Sequence, residues 1–243
     1  MSLASVDPLW VLLAMWVVTL VAAFAFGQYN ADRTRHSIHP LLVLTSALLV
    51  VMAALFWLRH ARNTPLAGFS LLITLGMAAS FVGDLMMGEY LRTPNRVLFG
   101  MLAFGVAHVL YIGAYLNAGR ALGLESGVAG WVALAGFLAL GLLAWALVVR
   151  SPRVSTTLNY GALGYTLLLS GMTGLAAALA LAAPRLWTLP LGAILFLASD
   201  IILANQIFRK RNWFLVGDVV WVLYVCGQAL IVWSNVPALA SLK

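Results

Sequence analysis

The chain has 243 residues, 63% of them hydrophobic and 9% charged, with a formal net charge of +7. A water-soluble domain carries about 25% charged residues, so this composition excludes a soluble globule and makes lipid the solvent for most of the surface. The basic residues fall singly or in short groups between apolar runs, not in a stripe. That pattern excludes a nucleic-acid-binding face and matches the loops of a membrane protein.

Eight apolar runs follow in chain order, at about 8–27, 39–58, 66–87, 97–118, 127–149, 159–182, 188–207 and 214–234. Each is long enough to cross a hydrocarbon core, which takes roughly 20 apolar residues. A backbone in lipid must satisfy its own hydrogen bonds, so the runs are read as helices. The fold class expected is all-α: a polytopic membrane protein, with residues 1–243 forming a single integral-membrane helical domain. The first run follows Asp7 without a basic flank and is read as a retained helix, not a cleaved signal. The one cysteine, Cys226, lies in an apolar run and allows no intrachain disulfide.

The loops after helices 1, 3, 5 and 7 hold nine Lys or Arg, and the other face, with both tails, holds five. The positive-inside rule then puts both termini outside the cytoplasm of a multi-pass cell-membrane protein. A parallel duplication of four helices would explain why Gly76 precedes Asp84 on helix 3 as Gly192 precedes Asp200 on helix 7. The pairs Gly161 with Gly164 and Gly171 with Gly174 read as close helix packing. The Arg209–Arg211 run reads as a contact with anionic membrane lipids.

Acids are scarce, and three of them interrupt apolar runs: Asp84, Asp200 and Asp218. A charged side chain at the centre of a membrane helix costs about 3 kcal/mol on insertion scales, so such a residue is a functional candidate by default. Asp84 lies eight residues before Arg92, Asp200 nine before Arg209, and Asp218 seven after Arg211. At about 1.5 Å per residue, all three sit roughly 5–10 Å inside one face. His108 and Tyr111 on helix 4, Asn159 and Tyr165 on helix 6, and Tyr224 and Gln228 on helix 8 are read from the same face. The picture is a polar cavity open to one side and closed below by apolar packing. Asp218, beside Arg209 and Arg211, reads as a structural ion pair, and Glu89 as a solvated loop charge.

Several chemistries are excluded. The lysines are Lys210 and Lys243, neither inside a helix, so a retinal site is absent. Phe81 stands where an intramembrane aspartyl protease has its first glycine before Gly83-Asp84, and Leu168 precedes Ser170-Gly171 where a rhomboid-type protease needs glycine. Of the histidines only His108 lies within a span, which argues against a metal site.

The residues Gly83-Asp84, Ala107-His108-Val109-Leu110-Tyr111-Ile112, Ser199-Asp200 with Leu203-Ala204, and Tyr224 with Gln228 resemble the YhhN family of membrane lysoplasmalogenases. The resemblance runs from about 66 to 234, with helices 1 and 2 contributing only hydropathy. Asp218 departs from it, at a position where apolar residues are expected, and carries no role. The resemblance implies hydrolysis of the vinyl-ether bond of a lysophospholipid within the bilayer, to a fatty aldehyde and a glycerophospho-base, without a cofactor or metal. That chemistry needs one carboxyl group as proton donor and a second, ionised, to stabilise an oxocarbenium ion and orient water. Neighbouring carboxyls away from water divide these roles, as in glycosidases. On this reading Asp84 and Asp200 are catalytic. His108, Tyr111, Asn159, Tyr165, Tyr224 and Gln228 bind substrate or order water, and Arg92 or Arg209 holds the phosphate. Two other readings stay open: a proton-coupled transporter using the same carboxylates, and a non-catalytic scaffold.

Overall fold

The computed structural model describes residues 7–242 and is all-helical among them, apart from one isolated bridge between Tyr29 and His36. The helices are α1 Pro8–Ala25, α2 His39–Phe56, α3 Ala67–Met87, α4 Arg96–Ala121, α5 Val128–Ala144, α6 Thr156–Ala182, α7 Thr188–Arg209, α8 Val216–Trp233 and a short α9 Asn235–Ala240. The first eight are each long and apolar enough to span a membrane, and they form one bundle. Their ends follow local chemistry. Asp7 accepts from Leu9 N at 3.0 Å ahead of Pro8, and Asn95 accepts from Leu98 N at 3.1 Å, each supplying a partner for an orphan amide of a first turn. α2 and α5 run on through one wide π-type turn each, Trp57–Ala61 and Trp145–Val149, which accounts for apolar runs longer than their α-helices.

Lipid offers helices no hydrophobic reward for meeting, so close packing has to hold them. At the α7–α8 crossing a Cβ on Gly192 would stand 2.6 Å from Gly227 O, and one on Gly227 would stand 2.7 Å from Gly192 O. Only glycine lets these two backbones touch. Gly76 serves α3 differently: a Cβ there would lie 2.5 Å from the Tyr111 ring of α4. The glycine two turns before each aspartate thus seats the following helix, α4 against α3 and α8 against α7. The other glycine pairs divide. Gly174 faces α5, where a Cβ would meet Leu134 Cα at 2.7 Å, while Gly161 and Gly164 have open space, so the packing expected of that pair is absent.

α3, α6 and α8 are the most buried spans, and α1 and α5 are largely exposed. The core of Leu49, Met52, Phe69, Ile73 and Met77 fills the half of the bundle away from the three acids. At the opposite end four non-glycine residues adopt left-handed backbone conformations, Arg33, Glu89, Lys210 and Leu215, all in the loops after α1, α3 and α7. Those loops surround the mouth of a cavity.

Candidate functional site

The cavity has a volume of about 700 Å³ and penetrates the bundle from the face that carries the loops after α1, α3, α5 and α7. α3 brings Asp84 to its wall, α7 brings Asp200, α6 Tyr165 and α8 Tyr224. The apolar part of the lining comes from Met101, Leu169, Leu197, Ala204 and Ile207, which form a slot between α4, α6 and α7.

Asp84 is 5% exposed. Its Oδ2 accepts two hydroxyls, Tyr224 Oη at 2.8 Å and Ser46 Oγ from α2. Asp200 is half-buried; Tyr165 Oη donates to its Oδ2, and Ser199 Oγ lies 3.4 Å from Oδ1. Each carboxylate is thus held by one phenol from a neighbouring helix. Both line the same cavity, and no basic side chain among the described residues forms an ion pair with either. In particular Arg96 pairs with Glu89, at the surface, and leaves Asp84 alone. Glu89 is the solvated loop charge expected from sequence: it stays exposed in the loop after α3 while it pairs with Arg96.

An aromatic layer closes the cavity below. Phe104 and Tyr224 face the cavity, with ring centroids 5.8 Å apart, and Phe196 packs behind both at 6.1 and 5.1 Å. His108 belongs to this layer. It is fully buried, 5.1 Å from the Tyr165 ring and 5.0 Å from the Phe196 ring, with neither nitrogen hydrogen-bonded among the described residues. It therefore backs Tyr165 and does not line the cavity. Tyr111 and Gln228 lie deeper still and pair with each other, Tyr111 Oη donating to Gln228 Oε1 at 2.7 Å. The four residues singled out on α4 and α8 split accordingly: Tyr224 lines the cavity, whereas His108, Tyr111 and Gln228 form its floor and the layer beneath.

Asn159 is placed elsewhere. Its side chain accepts from Ser151 N at 3.0 Å and donates to Ser151 O at 2.8 Å, tying down the α5–α6 loop. Asn159 is not among the residues that line the cavity. Asp218 also departs from expectation. Arg209 and Arg211 do not reach it; it accepts from His36 N and, at 2.8 Å, from Ser37 Oγ. The reason is position. Leu215 and Gly217, flanking the start of α8, donate to Arg33 O at 3.0 Å and Thr34 O at 2.9 Å, bringing the α1–α2 loop over the Asp218 carboxylate. Arg209 instead donates to Arg150 O at 3.1 Å, and the cations that do line the mouth are Arg35, Arg96 and Lys210.

Sequence reasoning missed Ser46 and the mouth cations. Ser46 had one signal: with Thr45 it interrupts an otherwise apolar run with hydroxyls, on a helix that packs against α3. Among the described residues no group of three or more His, Cys, Asp or Glu is arranged to hold a metal ion.

These features define a class: a polytopic α-helical membrane protein with an acid-lined cavity entered from one face. The chain belongs to the YhhN family, whose model matches residues 41–235. The match takes in α2, and with it Ser46, beyond the stretch from about 66 that the sequence motifs cover. No curated protein and no solved structure matches the chain.

Proposed function

We propose that the protein is a membrane-embedded ether-lipid hydrolase that cleaves the vinyl-ether bond of lysoplasmalogens. The observation that carries this reading is the pair of carboxylates, Asp84 and Asp200, opening from different helices into one cavity, each braced by a tyrosine. Family membership supports it, since YhhN proteins are associated with lysoplasmalogenase-like activity.

The reaction asks for two acid groups in different protonation states. One carboxyl delivers its proton to the outer alkene carbon, C2 of the alkenyl chain. The electron pair of the double bond forms the new C–H bond, and the ether oxygen shares the resulting positive charge. The ionised partner carboxylate stabilises that oxocarbenium ion and draws a proton from the attacking water. The hemiacetal then collapses to a fatty aldehyde and a glycerophospho-base, and the proton count is restored. Tyr165 and Tyr224 hold the two carboxylates in register, and the apolar slot beside Met101, Leu197 and Ala204 receives the chain. An aromatic floor keeps bulk water from the far side, so the acids work in a medium of low dielectric.

The cavity opens on the more basic face, so the positive-inside rule makes this a site entered from the cytoplasmic leaflet, with the termini outside. Mass spectrometry of a lysoplasmalogen incubated with the purified protein in detergent tests the proposal: equimolar fatty aldehyde and glycerophospho-base are expected. Intact lipid beside uptake of the same lipid into proteoliposomes would replace hydrolysis with transport.

A further inference from the structure

The cavity mouth carries cations that the carboxylate chemistry does not use. Arg35, Arg96 and Lys210 all line it, from the loops after α1, α3 and α7 or beside them. Glu89, which lines it too, neutralises Arg96 alone. Among the described residues neither Arg35 nor Lys210 forms an ion pair. An exposed lysine without a partner needs no explanation. Arg35 is half-buried in the cavity wall and has no ion-pair partner among the described residues, so its five donors are free to take an anion there.

Arg35 is also fixed in place. Asn30 Oδ1 accepts from Arg35 N at 2.9 Å, and Asn30 N donates to Arg35 O at 3.1 Å. Asp32 accepts the Thr34 hydroxyl at 2.7 Å, which together with the Thr34 amide holds this exposed carboxyl below its usual range. On the other side, Asp218 takes the His36 amide and the Ser37 hydroxyl, and Gly217 N binds Thr34 O. The loop is therefore stitched to the start of α8 on both sides of Arg35. The Arg35 side chain lies directly across Gly217, where a Cβ would come within 2.6 Å of its Nε. Burial lowers the affinity of this guanidinium for its proton; Asp218 opposes that, and nearby Arg96 adds to it. Arginine stays protonated regardless, so Arg35 and Arg96 both bring a fixed positive charge to the mouth, where Glu89 pairs with Arg96.

We infer that Arg35, assisted by Arg96 and Lys210, is the binding site for the phosphate of a lysophospholipid head group, held at the mouth while the chain enters the slot between α4, α6 and α7. The site rests on the hydrolase reading only for the identity of the lipid. Its chemistry is that of a phosphate ester: a planar fork pairs with two phosphate oxygens, and the bound anion supplies an ion-pair partner for Arg35. Asp218, under this assignment, is a positioning residue whose buried carboxylate keeps the Arg35 loop in register, which gives that acid a purpose outside the catalytic pair.

The test reads binding without turnover. Full-length protein in detergent is titrated with a saturated 1-O-alkyl lysophospholipid, whose ether has no double bond to protonate, with the phosphate-free 1-O-alkylglycerol of equal chain length, and with inorganic phosphate. Arg35→Gln is expected to weaken the lysophospholipid about ten- to a hundredfold, as for loss of hydrogen bonds to a charged group, and to leave the alkylglycerol unchanged. Arg35→Lys recovers part of the loss. An equal loss for both lipids, or none for either, overturns the assignment. Inorganic phosphate bound as tightly as the lipid, and as dependent on Arg35, would make the ligand a free anion and overturn the lipid head group. If Arg35→Gln yields no folded protein, Lys210→Gln at its exposed position carries the same test: a few-fold loss confined to the phospholipid is expected, and no loss overturns it. Because no step is catalysed, absence of aldehyde release from lysoplasmalogens would sink the hydrolase reading and leave this result standing, and the reverse holds equally.

Discussion

Asp84 and Asp218 are nearly alike by the usual measures of a buried acid. They are 5% and 6% exposed, lie at a similar depth below the same face, and each accepts two hydrogen bonds. Their partners separate them. Asp84 is held by side-chain hydroxyls from α2 and α8 and faces a cavity that also contains Asp200. Asp218 is held by a backbone amide and the serine beside it, and its carboxylate fastens a loop. Burial alone marks an acid as costly; what the donors belong to, and whether a second acid shares its space, decides whether that cost serves reaction or architecture.

The contrast is broken most severely at the cavity acids. Asp84→Asn and Asp200→Asn, each nearly isosteric, should each lower aldehyde release by about 10²–10⁴-fold. Melting in detergent should stay near that of the parent. Loss of folding in step with loss of activity would move Asp84 into the class of Asp218. Next come the phenols: Tyr224→Phe and Tyr165→Phe each remove one donor to a carboxylate and should cost about 10–100-fold in kcat/KM, in line with about 1.5–3 kcal/mol for such a bond. Asp218→Asn should instead act on stability and KM. It should cost about 1–3 kcal/mol by unfolding in detergent and raise KM as the Arg35 loop loosens, with kcat held. A collapse of kcat in that variant would erase the distinction. The smallest effect belongs to Asn159→Ala, which frees the α5–α6 loop; it should lower stability by about 1 kcal/mol and leave KM unaltered.

Much of the architecture was legible because lipid imposes a length and a composition on every span. The runs at 97–118 and 159–182 fall within α4 and α6 for that reason. The ends moved where capping residues such as Asn95 and Ser155, polar and outside the apolar count, let helices begin earlier. The meeting of Asp84 and Asp200 was legible from depth, since rise per residue is fixed and flanking arginines mark the interface. Rotation about the helix axis was harder. His108 and Tyr111 share one face of α4 and do point inward, but His108 is enclosed by the Tyr165 and Phe196 rings of the floor, and Tyr111 satisfies its hydroxyl on Gln228 of α8 in the layer beneath. Loop-borne residues were the least legible. Arg35 reaches the mouth only because Asn30, Asp218 and Gly217 stitch its loop to α8, and no periodicity in the sequence reports such a contact. Ser46 was passed over for a related reason: small hydroxyl residues are common in membrane helices, and its partner lies on a different span.

The central claim is that one of the two cavity carboxyl groups protonates a vinyl ether while the other stays ionised, and hydrolysis in D₂O addresses it most directly. Proton delivery to the outer alkene carbon leaves one solvent deuterium on the carbon next to the aldehyde, so the aldehyde from the parent protein should be heavier by about one mass unit, while Asp84→Asn and Asp200→Asn release almost none. Unlabelled aldehyde, or labelled aldehyde at the parental rate from both asparagine variants, would contradict the account.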